Sequence, residues 1–187
     1  MTPAGLTVLY SSFCLEPCPV GESPDSLVLG TDGNFYGTTG GGSFSDGTVF
    51  EITPTDQLTT LHTFSGTDGE FGDPPGNLLL ATNGTFYGTT SAGGKYLNGT
   101  IYSLATGLGA FVETIPTSGA AKTKVTILGT NLKGATAVSF NGTAAAFKVV
   151  GSSEIKTTVP AGATSGTVTV TTSGGTTLTS NVAFQVP

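Results

Sequence analysis

The chain has 187 residues, 29 of them Gly and only 10% charged, and a formal charge of −6 at pH 7 without a single Arg. That length holds one domain or two small ones, each able to bury a core. The charge excludes the clustered cations and guanidinium forks of nucleic-acid readout, and it offers no attraction to an anionic membrane surface.

The abundance of Gly and Thr describes a turn-rich β chain, since branched and aromatic side chains pack well on a pleated surface. No stretch of 11–18 residues sustains a helical period, and no run approaches the ~18 apolar residues of a membrane span. The start, "MTPAGLTVLYSS", has neither a positive n-region nor a long apolar h-region, so no signal peptide is visible. Cys14 and Cys18 follow in "FCLEPCP" and are the only cysteines. Their C-x3-C spacing suits a metal only with further ligands, and no second Cys pair exists. A local disulfide is the expectation, which implies an oxidising compartment. The chain therefore reads as the mature part of an exported, extracellular or cell-surface protein.

Next comes a repeated phrase. "GTDGNFYGTT" at 30–39 returns as "ATNGTFYGTT" at 81–90, with seven of ten positions identical. The match extends to "SLVL" (26–29) against "NLLL" (77–80), and to "GTVFEI" (47–52) against "GTIYSL" (99–104). Upstream, "LTVLYSSF" (6–13) matches "LTTLHTF" (58–64). Each unit holds four β-like runs separated by Gly, Pro, Asp and Asn, giving repeats of about 6–56 and 57–112. A period near fifty with four strands is the pattern of a propeller blade. The "DG" and "NG" pairs supply the hairpin turns. Phe35/Phe86 and Tyr36/Tyr87 put one aromatic on each sheet face, and Gly37/Gly88 permit close approach.

"DGNFYGTT…GG…DGTVFEI" resembles the GloVer-type tandem repeats of large exported bacterial surface proteins, over about residues 6–112. The resemblance implies an exported, repetitive protein and supplies no catalytic residues. Closed propellers need 4–8 blades, whereas this chain has two. The chain is then a fragment of a longer array, or a homo-oligomer in which another copy covers the bare sheet faces.

Composition shifts near residue 113. Glu154 is the only acid after Glu113, and five of the six Lys lie beyond it. Val125 and Ile127, Val138 and Phe140, Val168 and Val170 alternate with polar residues, which predicts about seven strands in a β-sandwich over 113–187. "VTILGTNL…VSFNGT…EIKTTVPAGATSG" resembles the IPT/TIG domain, an immunoglobulin-like fold. That resemblance implies a spacer or interaction module. The overall expectation is all-β: two propeller-blade-like four-stranded repeats plus an immunoglobulin-like sandwich. In the linker "GLGAFVETIP", Phe111 and Val112 are expected to pack against one module.

Chemistry-bearing residues are sparse. His62, the only histidine, stands where the first repeat has Tyr10, and reads as a sheet side chain with a polar tip rather than a triad member. "GTDGEFGDPPG" gathers Asp68, Glu70 and Asp73, an oxygen set that either contacts Ca2+ or glycan or is a solvated acidic loop. No other cofactor is expected. Asn83, Asn98 and Asn141 begin N-G-T triplets that read as turns rather than glycosylation acceptors. The expectation is a non-catalytic surface module for adhesion, display or glycan contact. The alternative is a polymer-cleaving hydrolase, which would bring two loop carboxylates about 5–10 Å apart in one pocket.

Overall fold

The computed structural model describes residues 8–11, 21–40, 46–69 and 76–187. The described chain is all-β apart from one 3-10 turn, η1 (Leu132–Gly134). It divides into two compact units: Met1–Ala81 with Thr85–Leu108, and Thr82–Gly84 with Gly109–Pro187. Among the described residues, no helix is long and apolar enough to cross a membrane.

In the first unit, β1 (Glu22–Leu29), β2 (Phe35–Gly40), β3 (Thr48–Ile52) and β4 (Leu58–Thr63) pair antiparallel in that order. A second sheet holds β5 (Leu79–Leu80), β6 (Thr85–Thr89) and β7 (Ile101–Ala105). The hydrogen-bonded sheets are thus cut differently from the sequence repeat. "LTTLHTF", which opens the second repeat in sequence, closes the first sheet in space as β4. The second sheet has three described strands.

At residue level the two sheets are built alike. Positive φ at the equivalent β1–β2 and β5–β6 hairpins falls on glycine, Gly33 at 87° and Gly84 at 81°, while in the β3–β4 turn Asp56 takes it at 65°. Thr39 and Thr48 bond hydroxyl to hydroxyl across β2 and β3 at 2.8 Å, and Thr90 and Thr100 repeat the bond at 3.0 Å. Each pair adds a backbone donor: Thr48 N–H to Thr39 Oγ1 at 3.1 Å, and Thr100 N–H to Thr90 Oγ1 at 2.9 Å. Buried hydroxyls are tolerated here because each has a partner.

The two sheets stack through unlike faces. Tyr36, Val49 and the partly buried Val28 of the first meet Phe86, Leu80, Tyr102 and Leu104 of the second. Tyr36 (2% exposed) and Phe86 (0%) touch with ring centroids 4.5 Å apart. Because Tyr36 corresponds to Tyr87 and Phe86 to Phe35, one copy buries its Tyr face and the other its Phe face. The phrase is shared, but which aromatic is buried depends on the side from which the neighbour comes.

The second unit is a sandwich of two four-stranded antiparallel sheets. One has the order β12 (Phe147–Val149), β13 (Glu154–Thr158), β9 (Lys124–Gly129), β8 (Val112–Ile115). The other runs β11 (Thr143–Ala144), β10 (Ala135–Phe140), β14 (Val168–Thr172), β15 (Thr177–Thr179). The alternating residues read from sequence all turn inward: Val125, Ile127, Val138, Phe140, Val168 and Val170 are each no more than 2% exposed. Each such side chain contributes about 1.5–3 kcal/mol by leaving water. Phe140 meets Phe184 edge-on at 5.1 Å, and Val112 belongs to the same core. Asn141 (φ 44°) and Gly142 (φ 85°) make the β10–β11 turn, as their N-G pairing predicts.

Candidate functional site

Three polar constellations stand out, two in the first unit and one in the second. The first is the corner that follows β4. Its bulge between Val49 and Phe50 shifts the pairing so that His62 stands opposite Val49. His62 Nε2 lies 2.9 Å from Asp68 Oδ2, and its ring meets Phe64 edge-on at 4.7 Å. Asp68 Oδ1 accepts from Ser65 N–H at 2.9 Å and from the Ser65 hydroxyl at 3.0 Å. Partial burial pushes the Asp68 carboxyl up, but the Ser65 and His62 bonds outweigh it and hold the group below its ordinary value. A cavity of about 210 Å3 adjoins the pair, walled by Val49, Phe64, Tyr102 and Ser103. Burial raises the Tyr102 phenol to about 12, so it stays protonated at neutral pH.

This corner has the residue types of a hydrolytic triad in the wrong order. A serine nucleophile needs histidine between itself and the carboxylate. Here the carboxylate is in the middle, and the Ser65 hydroxyl donates its hydrogen bond to Asp68 rather than to imidazole. Both Asp68 oxygens are engaged, Oδ1 by Ser65 and Oδ2 by His62 of β4. Its sequence neighbours Glu70 and Asp73 lie outside the described residues, as do Cys14 and Cys18. Among the described residues, no group of three or more His, Cys, Asp or Glu side chains gathers as a metal site.

A second constellation sits at the first hairpin. The Asn34 amide donates to Asp32 Oδ2 at 3.0 Å and to Glu51 Oε1 at 2.5 Å, and the Tyr36 hydroxyl donates to Asp32 Oδ2 at 2.8 Å. Burial, then the Asp32 bond and the Asp32 and Glu51 charges, push the Tyr36 pKa well above its ordinary value. Two acids do converge here, but the amide stands between them, where a scissile bond or attacking water would have to go. In the second repeat Asn83, Thr85 and Ser103 stand at these positions, so the acids are not part of the repeated design.

The third lies on the sandwich. Lys124, Lys148 and Lys156, with Thr126, Phe147 and Thr158, line an open groove of about 600 Å3. Alternation along β9, β12 and β13 turns all three lysines outward, and the register sets Lys148 directly opposite Lys156. Only Lys156 has a described ion pair, with Glu154 at 3.6 Å. Sequence reasoning missed this cluster. Outward placement is legible from alternation, but strand pairing is not.

These features define an all-β repeat protein that carries an immunoglobulin-like module. The chain belongs to the Gloeobacter/Verrucomicrobia repeat family, whose model matches residues 1–136. The IPT/TIG domain model matches residues 111–186, overlapping the first match across β8, β9 and η1. The pair is consistent with a surface or adhesion-type module. No curated protein matches. A solved structure titled as a novel fungal alcohol oxidase with catalytic diversity among the AA5 family, in complex with copper, is similar at 16% identity and TM-score 0.33. The likeness covers 89% of this chain and 41% of that one, so this chain spans well under half of the oxidase. It is too distant to define a fold or a chemistry.

Proposed function

We propose that this chain is a non-catalytic, exported or cell-surface module for adhesion, surface display or glycan contact. The contact is made through the outer face of the β12-β13-β9-β8 sheet, and its target is an acidic surface polymer. The observation that carries this reading is the gathering of Lys124, Lys148 and Lys156 in one open groove of a chain whose net charge is −6. Like charges directly opposite on neighbouring strands destabilise a sheet unless a counter-charge arrives, and Glu154 offsets only one of them. The outward Thr126 and Thr158 add hydroxyls suited to sugar rings.

A glycan array with uronate-bearing, sulfated and neutral members tests this. Acidic members are expected to bind, more weakly as salt rises, and a Lys148→Glu/Lys156→Glu variant should lose about tenfold or more in affinity. Equal retention of neutral glycans, salt-independent binding, or no binding would overturn it. Product release in a parallel hydrolase panel would instead favour the polymer-cleaving reading.

A further inference from the structure

Among the described residues, no strand pairs with the outer edge of β7 in the second sheet. Thr90 N–H donates to Thr100 O at 2.9 Å, which sets the alternation of β6 against β7. The backbone groups of Ile101, Ser103 and Ala105 therefore point away from β6. In the first sheet the same repeat positions, Val49, Glu51 and Thr53, point at β4: Glu51 pairs with Thr59, and Thr53 N–H donates to Gln57 O at 3.0 Å. The chain supplies no equivalent strand after β7. Residues 106–111 lead into β8, which pairs with β9 in the sandwich.

The outer face of that sheet is bare as well. Leu79 and Ile101 stand at the repeat positions of Val28 and Val49, which face the stacked interior. Val49 is 1% exposed, whereas Leu79 is 63% and Ile101 84% exposed. On the first sheet, Leu29 stands where Leu80 packs in the second, yet it is 59% exposed. Phe50 and Ile52 on that same face are 6% and 4% exposed, so the first sheet is open there only along β1, at Leu27 (58%) and Leu29, whereas the second sheet is open at Leu79 and Ile101.

The missing strand is also present in the chain. "LTVLYSSF" at 6–13 repeats the "LTTLHTF" that forms β4. Its described part, residues 8–11, lies in no strand, with Val8 69% and Tyr10 42% exposed. β4 precedes the second sheet in sequence and edges the first in space. By the same relation, the 6–13 stretch precedes the first sheet of its own copy and would edge the second sheet of another.

We infer that a second copy of this chain docks head-to-tail on the second sheet. The open β1 side of its first sheet, Leu27 and Leu29, stacks on Leu79 and Ile101, and its residues 8–11 add to β7 as the fourth strand. One displacement, that relating the first sheet to the second, delivers both the stacked face and the strand. Such an interface is heterologous, so it propagates into a ring or a filament, and strand addition supplies its backbone hydrogen bonds. This deepens the display function by giving the displayed array its assembly rule. It rests on that reading only in taking the repeats as stacking units, and self-association is measured apart from glycan binding.

Sedimentation of the full chain across the micromolar range tests the inference, with two one-sided variants. Ser103→Pro removes an outward N–H from an edge strand, where Pro is tolerated, and so blocks the acceptor. Deleting residues 1–11 removes the donor. The full chain is expected to self-associate with concentration, each variant alone to stay monomeric, and their mixture to form a dimer that grows no further. Cooperative melts establish that each variant folds. Where one does not, Ile101→Lys replaces the acceptor variant and Leu9→Asp the donor, each expected to raise the dissociation constant about tenfold or more. A full chain that stays monomeric would overturn the inference. So would variants that assemble alone, as a back-to-back dimer would, or a mixture that fails to pair.

Discussion

At the scale of single residues, the repeat is written in cross-strand pairs. Gly37 lies opposite Phe50, and Gly88 opposite Tyr102, at equivalent register positions. A Cβ on Gly37 would stand 2.5 Å from the Phe50 ring and equally close to the Ser26 carbonyl oxygen. On Gly88 it would overlap the Tyr102 ring. The glycines are there because an aromatic from the next strand lies across them. Gly37→Ala is expected to cost about 1–3 kcal/mol, since a backbone carbonyl cannot swing aside as a side chain can. Urea unfolding followed by fluorescence would check this, and an unchanged midpoint would refute it. The glycine and the aromatic are both visible in the repeated phrase. Their meeting was not, because it depends on strand register.

At the scale of elements, the strand at the repeat boundary changes owner. β4 begins the second sequence repeat and completes the first sheet. At the corresponding place after β7, β8 joins the sandwich, pairing with β9 through Val112↔Gly129 and Thr114↔Ile127. Val112 is fully buried in the sandwich core. A fragment of residues 109–187 is therefore expected to fold alone, whereas one beginning at Pro116 lacks both the ladder and the Val112 side chain. Circular dichroism melts of the two fragments give the measurement: a sharp transition for the longer, and a lower or lost transition for the shorter. Equal melting would show that β8 adds nothing to the sandwich. Alternation made the inward residues of β9, β10 and β14 legible. The ownership of β8 was not, because a short apolar run suits either sheet until a partner edge is placed beside it.

At the scale of the whole molecule, two separate apolar clusters hold two units. One gathers Tyr36, Val49, Phe64, Leu78 and Phe86, and the other is built around Ile127, Phe140, Ile155 and Phe184. No residue is common to both. Truncating Phe140, 1% exposed and edge-on to Phe184, should cost about 3–5 kcal/mol from lost burial and the cavity left behind. Scanning calorimetry of Phe140→Ala is expected to lower one transition and leave another in place. A single transition that moves as a whole would contradict two independent cores.

The sequence by itself determined the all-β class, the two repeats, the IPT/TIG module and the inward face of its strands. Those properties live in local period and in a copied phrase, and both survive without knowledge of what lies next to them. Tertiary structure alone decided which aromatic of each Phe-Tyr pair is buried, where β4 and β8 belong, and that three lysines share one groove. It also set Asp68 between His62 and Ser65, which removed the triad order that residue types alone leave open. Each of these depends on which strand edge or sheet face lies opposite. That pairing comes from hydrogen-bond register and from the side on which a neighbouring sheet stacks, and neither is encoded at the position it controls.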